Sequence, residues 1–197
     1  MKDIVYKILM PIYGVFYRLK YRPTIIGSEN IPKTGSFIIC GNHKHTRDQM
    51  NVMIVTKRVI HYMAKKEYFD GNFAWFFKLA GCISVNRKIH DEEAKRRALE
   101  ILNNGGAVGI FPEGTRNKTL GTDEEVDLLP FKFGAVSLAQ KSNSPIVPFG
   151  ISGEYTGRHG NLVCRIGKPF SIEGMDLEEA NDVLRSKILK LMQKEDK

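Results

Sequence analysis

The chain has 197 residues, 42% of them hydrophobic and 26% charged, which suits one α/β domain with a charged surface and excludes a disordered chain. A formal net charge of +8 points to an anionic partner such as nucleic acid, a membrane surface or a phosphorylated substrate. The basic residues are spread without a long Lys/Arg block, which disfavours nucleic acid. Three widely spaced cysteines (Cys40, Cys82, Cys164) with no CxxC pair disfavour a disulfide framework or structural zinc and fit a reducing compartment.

The first segment, "KDIVYKILMPIYGVFYRLKYR", reads as an amphipathic helix. At about 100° per residue, Ile4, Val5, Ile8, Leu9, Ile12, Val15, Phe16 and Leu19 share one face. Tyr6, Met10, Tyr13 and Tyr17 flank it, and Lys7 and Arg18 lie opposite. Pro11 is expected to break or kink the helix. Aromatic flanks and basic ends suit a membrane interface; a helix capping the domain's own core is the competing reading. No secretory signal is expected, because Lys7 and Pro11 interrupt the apolar residues and no small-residue cleavage site follows. No uninterrupted apolar run reaches about eighteen residues, so no spanning helix is expected. The one natural boundary falls near Arg22 and Pro23, giving an N-terminal segment, 1–22, and a domain, 23–197.

Strands are expected in "PTIIGSE" and "SFIIC", followed by a helix in "DQMNVMIVTKR". "VIHYMAKKEYF" reads as a strand and a turn. "NFAWFFKLAG" reads as a short apolar helix ended by Gly81 and packed in the core, with the lining of an apolar channel as the alternative. Next come a strand "CISVNR", a helix "DEEAKRRALEILNNGG" with Leu99 and Leu102 inward, a buried strand "AVGIF" and a polar loop "EGTRNKTLGTDEE". "FKFGAVSLAQKSN" reads as a helix, "PIVPFGI" and "NLVCRIG" as strands. "DLEEANDVLRSKILKLMQ" closes the chain as a helix, with capping-box spacing between Asp176 and Glu179. The alternation predicts an α/β fold, a mixed sheet flanked by helices.

The densest chemistry is "GNHKHTRDQ", residues 41–49, which follows the apolar strand "SFIIC". Three readings compete. As a metal site, His43, His45 and Asp48 need further ligands from His61, His90 or His159, which lack ligand spacing. As an acid–base site, His43 needs a carboxylate to hold its second ring nitrogen, and Asp48 lies five residues on. On a straight helix the two would point about 140° apart, so a turn between strand and helix must bring them together. The third reading is a polar surface loop. Cys40, the one nearby thiol, lies in an apolar run where a thiol ordinarily packs.

A second polar cluster, Glu113, Gly114, Thr115 and Arg116, follows the strand "AVGIF". Gly114 allows close backbone approach to a ligand, and Arg116 is a natural phosphate fork. Arg87 follows a third apolar strand, and Lys65 and Lys66 a fourth. Cations at several strand ends beside a His/Asp pair describe a site for an anionic substrate.

These residues resemble the glycerolipid acyltransferases. "NHKHTRD" matches that family's block of His, four residues and Asp preceded by Asn. "GCISVNR" is similar to its second block, which ends in Arg, "FPEGTR" to its third, and "IVPFGI" to its apolar fourth with a central Pro. "MAKKEYF" and "PFKFGAVSLA" resemble the intervening segments. Order and spacing agree from Thr24 to Gly167, most closely with the bacterial 1-acylglycerol-3-phosphate acyltransferases. The resemblance implies transfer of a fatty acyl chain from acyl-CoA or acyl carrier protein to 1-acylglycerol 3-phosphate (lysophosphatidic acid), giving phosphatidic acid. The thioester is a co-substrate, and neither a resident cofactor nor a metal is implied. It further implies His43 as general base and Asp48 as its partner. Arg87 and the Glu113-Gly114-Thr115-Arg116 block would bind the glycerol phosphate, with Lys65 a further phosphate candidate. The alternatives are another acceptor, such as glycerol 3-phosphate or a different lysophospholipid, or a non-catalytic module that binds anionic lipid. Many members carry a small hydroxyl residue where this chain has His45, whose role is open. A basic amphipathic segment and lipid substrates imply a peripheral or monotopic protein on the cytoplasmic face of the cell membrane.

Overall fold

The computed structural model describes residues 2–72, 74–89, 91–118 and 128–193. His90 and the 119–127 part of the polar loop lie outside that set. A helix, α1 (Lys2–Tyr21), leads into the strands β1 (Thr24–Ile26) and β2 (Phe37–Gly41) and the helix α2 (Asp48–Met53). β3 (Ile60–Lys65), α3 (Ala74–Leu79), β4 (Ile83–Val85), α4 (Glu92–Asn103) and β5 (Ala107–Ile110) follow. The chain closes with α5 (Gly134–Ser142), β6 (Ile146–Ser152), β7 (Val163–Ile166) and α6 (Leu177–Gln193). The seven strands form one mixed sheet in the order β1-β7-β6-β2-β5-β3-β4. Every pairing is parallel except β6 with β7.

Alternation along the strands builds two cores. Ile38 and Cys40 face the side covered by α4, α5 and α6, with Ala98, Leu102, Val136, Leu184 and Ile188. Phe37 and Ile39 face the other side, with Val52, Tyr62, Phe149 and Tyr6, Tyr17 and Tyr21 of α1. A strand buried on both faces reads as an unbroken apolar run, which is why "SFIIC", "AVGIF" and "PIVPFGI" are so uniform. Parallel pairing also fixes where the chemistry lies. The carboxyl ends of β2, β5, β3 and β4 sit side by side, so whatever follows each strand emerges at one edge.

One expectation for the N-terminal segment needs correction. Pro11 does not end the helix, which runs through it from Lys2 to Tyr21. Tyr6 and Met10 before it and Tyr17 and Tyr21 after it are all buried on the same side, so packing holds both halves against a proline cost of about 3 kcal/mol. Tyr13 is 42% exposed, whereas Tyr6, Met10, Tyr17 and Tyr21 seat the helix on the domain. Ile8, Ile12, Val15, Phe16 and Leu19 point away from it, each 54–66% exposed; the side chains of Ile4, Val5, Lys7 and Leu9 lie outside the described set. Capping the core and presenting an apolar face are therefore properties of two different sides of α1. Among the described residues, no helix is long and apolar enough to cross a membrane.

α3 departs from its expected core packing. It buries none of its described side chains fully, Trp75 is 55% exposed, and Phe76 alone reaches the core beneath α1. α5 starts at Gly134, later than expected, because the preceding segment is held elsewhere: the Lys132 N–H donates to the Pro112 carbonyl at 2.9 Å. α6 begins as its sequence predicts, with Asp176 accepting from the Glu179 N–H at 2.8 Å.

Candidate active site

β2 ends at Gly41, and the next residues turn before α2 begins at Asp48. A side chain at Gly41 would meet the Phe149 ring at 2.3 Å, so only glycine lets this strand end pass. Asn42 then ties β2 to β6, donating to the Ile151 carbonyl at 2.9 Å and accepting from the Ile151 N–H at 2.7 Å. The turn brings His43 back over α2, and His43 Nδ1 meets Asp48 Oδ2 at 2.8 Å.

Asp48 is fully buried, and its carboxylate is saturated with donors. Oδ2 also accepts from the Lys44 and His45 N–H groups, each at 2.7 Å, and Oδ1 accepts from the Tyr155 hydroxyl at 2.7 Å. An acceptor-only carboxylate requires His43 Nδ1 to carry the proton. Nε2, which has no hydrogen-bond partner among the described residues, then keeps its lone pair. The His43 side chain is 15% exposed and its ring stacks on Phe111 at 4.0 Å.

The second polar cluster holds this histidine in place. Glu113 is buried: its Oε1 accepts from the His43 N–H at 2.9 Å and its Oε2 from the Leu129 N–H at 3.0 Å. Burial raises the Glu113 carboxyl above its ordinary range, and those hydrogen bonds, with one from the Asn117 side chain, offset only part of the rise. The Asn117 N–H donates to the His43 carbonyl at 2.6 Å, so the His43 backbone is gripped from both sides by one loop. Gly114 has φ +70°, and a side chain there would press on Lys132. Thr115 and Arg116 are exposed at the rim.

Lys65 ends β3 in register with Val85 of β4, and Arg87 follows two residues later. Lys65 pairs with Glu67 at 2.8 Å and Arg87 is exposed. The loop carrying Arg87 is fastened by Asp91, which accepts from the Asn86 N–H and caps α4 through the Ala94 N–H. His43, Asp48, Lys65, Arg87 and the 113–116 block thus gather at one edge of the sheet. Within that group, hydrogen bonds join His43 to Asp48 and to Glu113.

His45 does not face Asp48 with its ring. It stacks on Tyr155 at 4.1 Å, its Nδ1 accepts from the Arg47 N–H at 3.3 Å, and burial lowers its pKa. His61 is turned elsewhere, its Nδ1 2.7 Å from the Gly81 carbonyl oxygen. Among the described residues, no three His, Cys, Asp or Glu side chains gather as a metal would require. Cys40 is fully buried, and burial pushes its thiol well above the ordinary range. Sequence reasoning overlooked Phe111, Asn117, Asn51 and Tyr155. Phe111 and Asn117 bracket a motif already noticed; Tyr155 is more than a hundred residues from Asp48 and carries no sequence signal.

A histidine–aspartate pair at the strand ends of a mixed α/β sheet, with cations at the ends of neighbouring strands, is the candidate site. The family model described as Acyltransferase matches residues 22–152, and the chain belongs to that family of acyl-transferring enzymes. Among curated relatives, the 1-acyl-sn-glycerol-3-phosphate acyltransferase of Bacillus subtilis (strain 168) is 31% identical over 172 residues, covering 84% of this chain and 82% of the relative. The enzyme of that name from Saccharomyces cerevisiae is 31% identical over 170 residues, 80% of this chain and 54% of the relative. The crystal structure of the 1-acyl-sn-glycerophosphate (LPA) acyltransferase PlsC from Thermotoga maritima superposes with a TM-score of 0.75 at 25% identity, covering 100% of this chain and 83% of that one.

Proposed function

We propose that this chain acylates the free hydroxyl of 1-acylglycerol 3-phosphate with a fatty acyl group from acyl-CoA or acyl carrier protein, forming phosphatidic acid. The names of the relatives support the acceptor. The observation that carries the mechanism is the 2.8 Å contact from His43 Nδ1 to a fully buried, donor-saturated Asp48. With Nδ1 protonated, Nε2 accepts the hydroxyl proton as the alkoxide oxygen bonds to the thioester carbonyl carbon. The tetrahedral intermediate collapses, the C–S bond breaks, and the thiolate leaves with the proton from Nε2. Asp48 steadies the imidazolium between the two transfers without taking its proton. Direct transfer is favoured over an acyl-enzyme because Cys40, the thiol nearest to His43 in sequence, is sealed in the core, where burial holds it protonated.

Arg116, Arg87 and Lys65 are assigned to the acceptor phosphate and Thr115 to the rim beside it. Gly114 keeps the backbone low enough for a ligand to approach. Glu113 supports the substrate site indirectly, because both of its oxygens are occupied by backbone N–H groups. Arg116→Ala is expected to raise the KM for lysophosphatidic acid about ten- to hundredfold, the scale of one lost charge-assisted hydrogen bond, with a smaller change in kcat. A thioester-release assay on an acceptor-by-donor panel measures it. An unchanged dependence on lysophosphatidic acid overturns the phosphate role, and a preference for glycerol 3-phosphate changes the acceptor.

Residues 1–22 form the membrane-associating segment of this reading and residues 23–197 the acyltransferase domain, seated on the cytoplasmic face of the cell membrane. The bare face of α1 supports it: five aliphatic or aromatic side chains point outward while Tyr6, Tyr17 and Tyr21 anchor the other side. Replacing Phe16 and Leu19 together by serine is expected to weaken sedimentation with anionic vesicles about tenfold or more, because each buried apolar side chain contributes about 1.5–3 kcal/mol. The thermal midpoint should hold, since neither side chain packs on the domain. Unaltered vesicle binding would assign membrane contact to another surface.

A further inference from the structure

Asp48 Oδ1 is satisfied by one residue that the acyl-transfer chemistry does not use. Tyr155 lies in the loop after β6, and its hydroxyl donates to Oδ1 at 2.7 Å. The same hydroxyl accepts from Asn51 Nδ2 at 2.8 Å, and Asn51 Oδ1 accepts from the Tyr17 hydroxyl of α1 at 2.8 Å. Chemistry fixes the direction of this file. The carboxylate can only accept, so the Tyr155 proton must point at Asp48. The Tyr155 oxygen is then free to accept from Asn51, whose amide oxygen faces the Tyr17 proton. Burial keeps both phenols protonated, and for Tyr155 the adjacent Asp48 adds to it. Tyr17 and Asn51 are almost wholly enclosed. The Tyr155 ring is clamped between His45, stacked at 4.1 Å, and the edge of Tyr21 at 5.6 Å. Its loop is also pinned to the motif by Lys44, whose Nζ donates to the Gly153 carbonyl and to Glu154 Oε1, each at 2.6 Å.

We infer that Tyr155 is a positioning residue of the His43–Asp48 pair, and that the Tyr17–Asn51–Tyr155 file makes the seating of α1 part of that pair's geometry. The inference rests on the reading of His43 as the general base. Asp48 has three donors crowded on Oδ2 and one on Oδ1. Without the fourth, Oδ1 is unanchored and the carboxylate plane can turn about its Oδ2 contacts, so the axis along which it holds His43 Nδ1 is less fixed. Phe16 and Tyr17 are neighbours in sequence, one facing outward and the other anchored toward Asp48. A displacement of the helix therefore reaches the buried carboxylate through two hydrogen-bonded side chains.

The test compares purified full-length chain and variants in the thioester-release assay with lysophosphatidic acid in mixed vesicles. Tyr155→Phe keeps the ring clamp and removes the donor. It is expected to lower kcat about tenfold, the scale of one hydrogen bond to a buried charge, and to leave KM for the acceptor within about twofold. In an Asp48→Asn background the same change should cost nothing further, because residues acting through one group are not additive. Tyr17→Phe is expected to lower kcat about threefold through the same file. An unchanged kcat in Tyr155→Phe, a loss confined to KM, or an equal loss in the Asp48→Asn background overturns the positioning role. An unchanged kcat in Tyr17→Phe overturns the link to α1. His43→Ala separates the two levels: if it stays active the base assignment fails, whereas an inactive His43→Ala beside a fully active Tyr155→Phe defeats this inference alone.

Discussion

His43→Ala is expected to lower turnover about a hundred- to ten-thousandfold, the range a positioned general base supplies, while the protein stays folded. The second half follows from how the residue is held. Its N–H donates to Glu113 and its carbonyl accepts from Asn117, and both contacts belong to the backbone. Asp48 keeps the Lys44 and His45 N–H groups and the Tyr155 hydroxyl, so removing the imidazole leaves no buried charge without partners. The lost packing is one face of Phe111 beside a partly exposed ring. Thioester release and thermal unfolding measured on the same preparation check both halves. Near-normal turnover refutes the assignment, whereas a collapsed midpoint with lost turnover indicates that the ring holds the loop together.

The layout of this site was legible because parallel strands impose it. An apolar run buried on both faces cannot carry titratable groups, so those groups collect where each run ends. The sequence marks such ends at Gly41, Lys65, Val85 and Ile110. The five-residue spacing from His43 to Asp48 is incompatible with a helix, and the turn ahead of α2 is the local structure that resolves it. What stayed hidden depends on direction. "FPEGTR" does not say that Glu113 points inward to two backbone N–H groups while Arg116 points out. The helical wheel of α1 shows an aliphatic face and a tyrosine flank but not which one packs; Tyr6, Tyr17 and Tyr21 do, and the Tyr17 hydroxyl finds a buried partner in Asn51. Tyr155 was beyond reach, since only the β2–β6 pairing brings its loop beside α2.

Glu113→Gln is expected to fail as a conservative change, and the reason is the number of acceptors. The two carboxylate oxygens serve two separate backbone donors, His43 N–H at 2.9 Å and Leu129 N–H at 3.0 Å. A carboxamide has one oxygen, so its NH2 must face one of those donors whichever way it turns. A buried hydrogen bond is lost and two donors are opposed, at a cost of about 1–3 kcal/mol. For a chain of this size that lowers the thermal midpoint by about 2–10 °C. If the His43 side loses its bond, the imidazole drifts from the position that Asp48 and Phe111 define. A misplacement of about 1 Å costs roughly a hundredfold in rate. The expected signature is therefore a fallen kcat together with a fallen midpoint, with acceptor KM little changed. A substrate-contacting Glu113 gives the opposite pattern, in which KM rises while the midpoint stays where it was. Thermal unfolding and a KM-against-kcat comparison on the one variant decide between them.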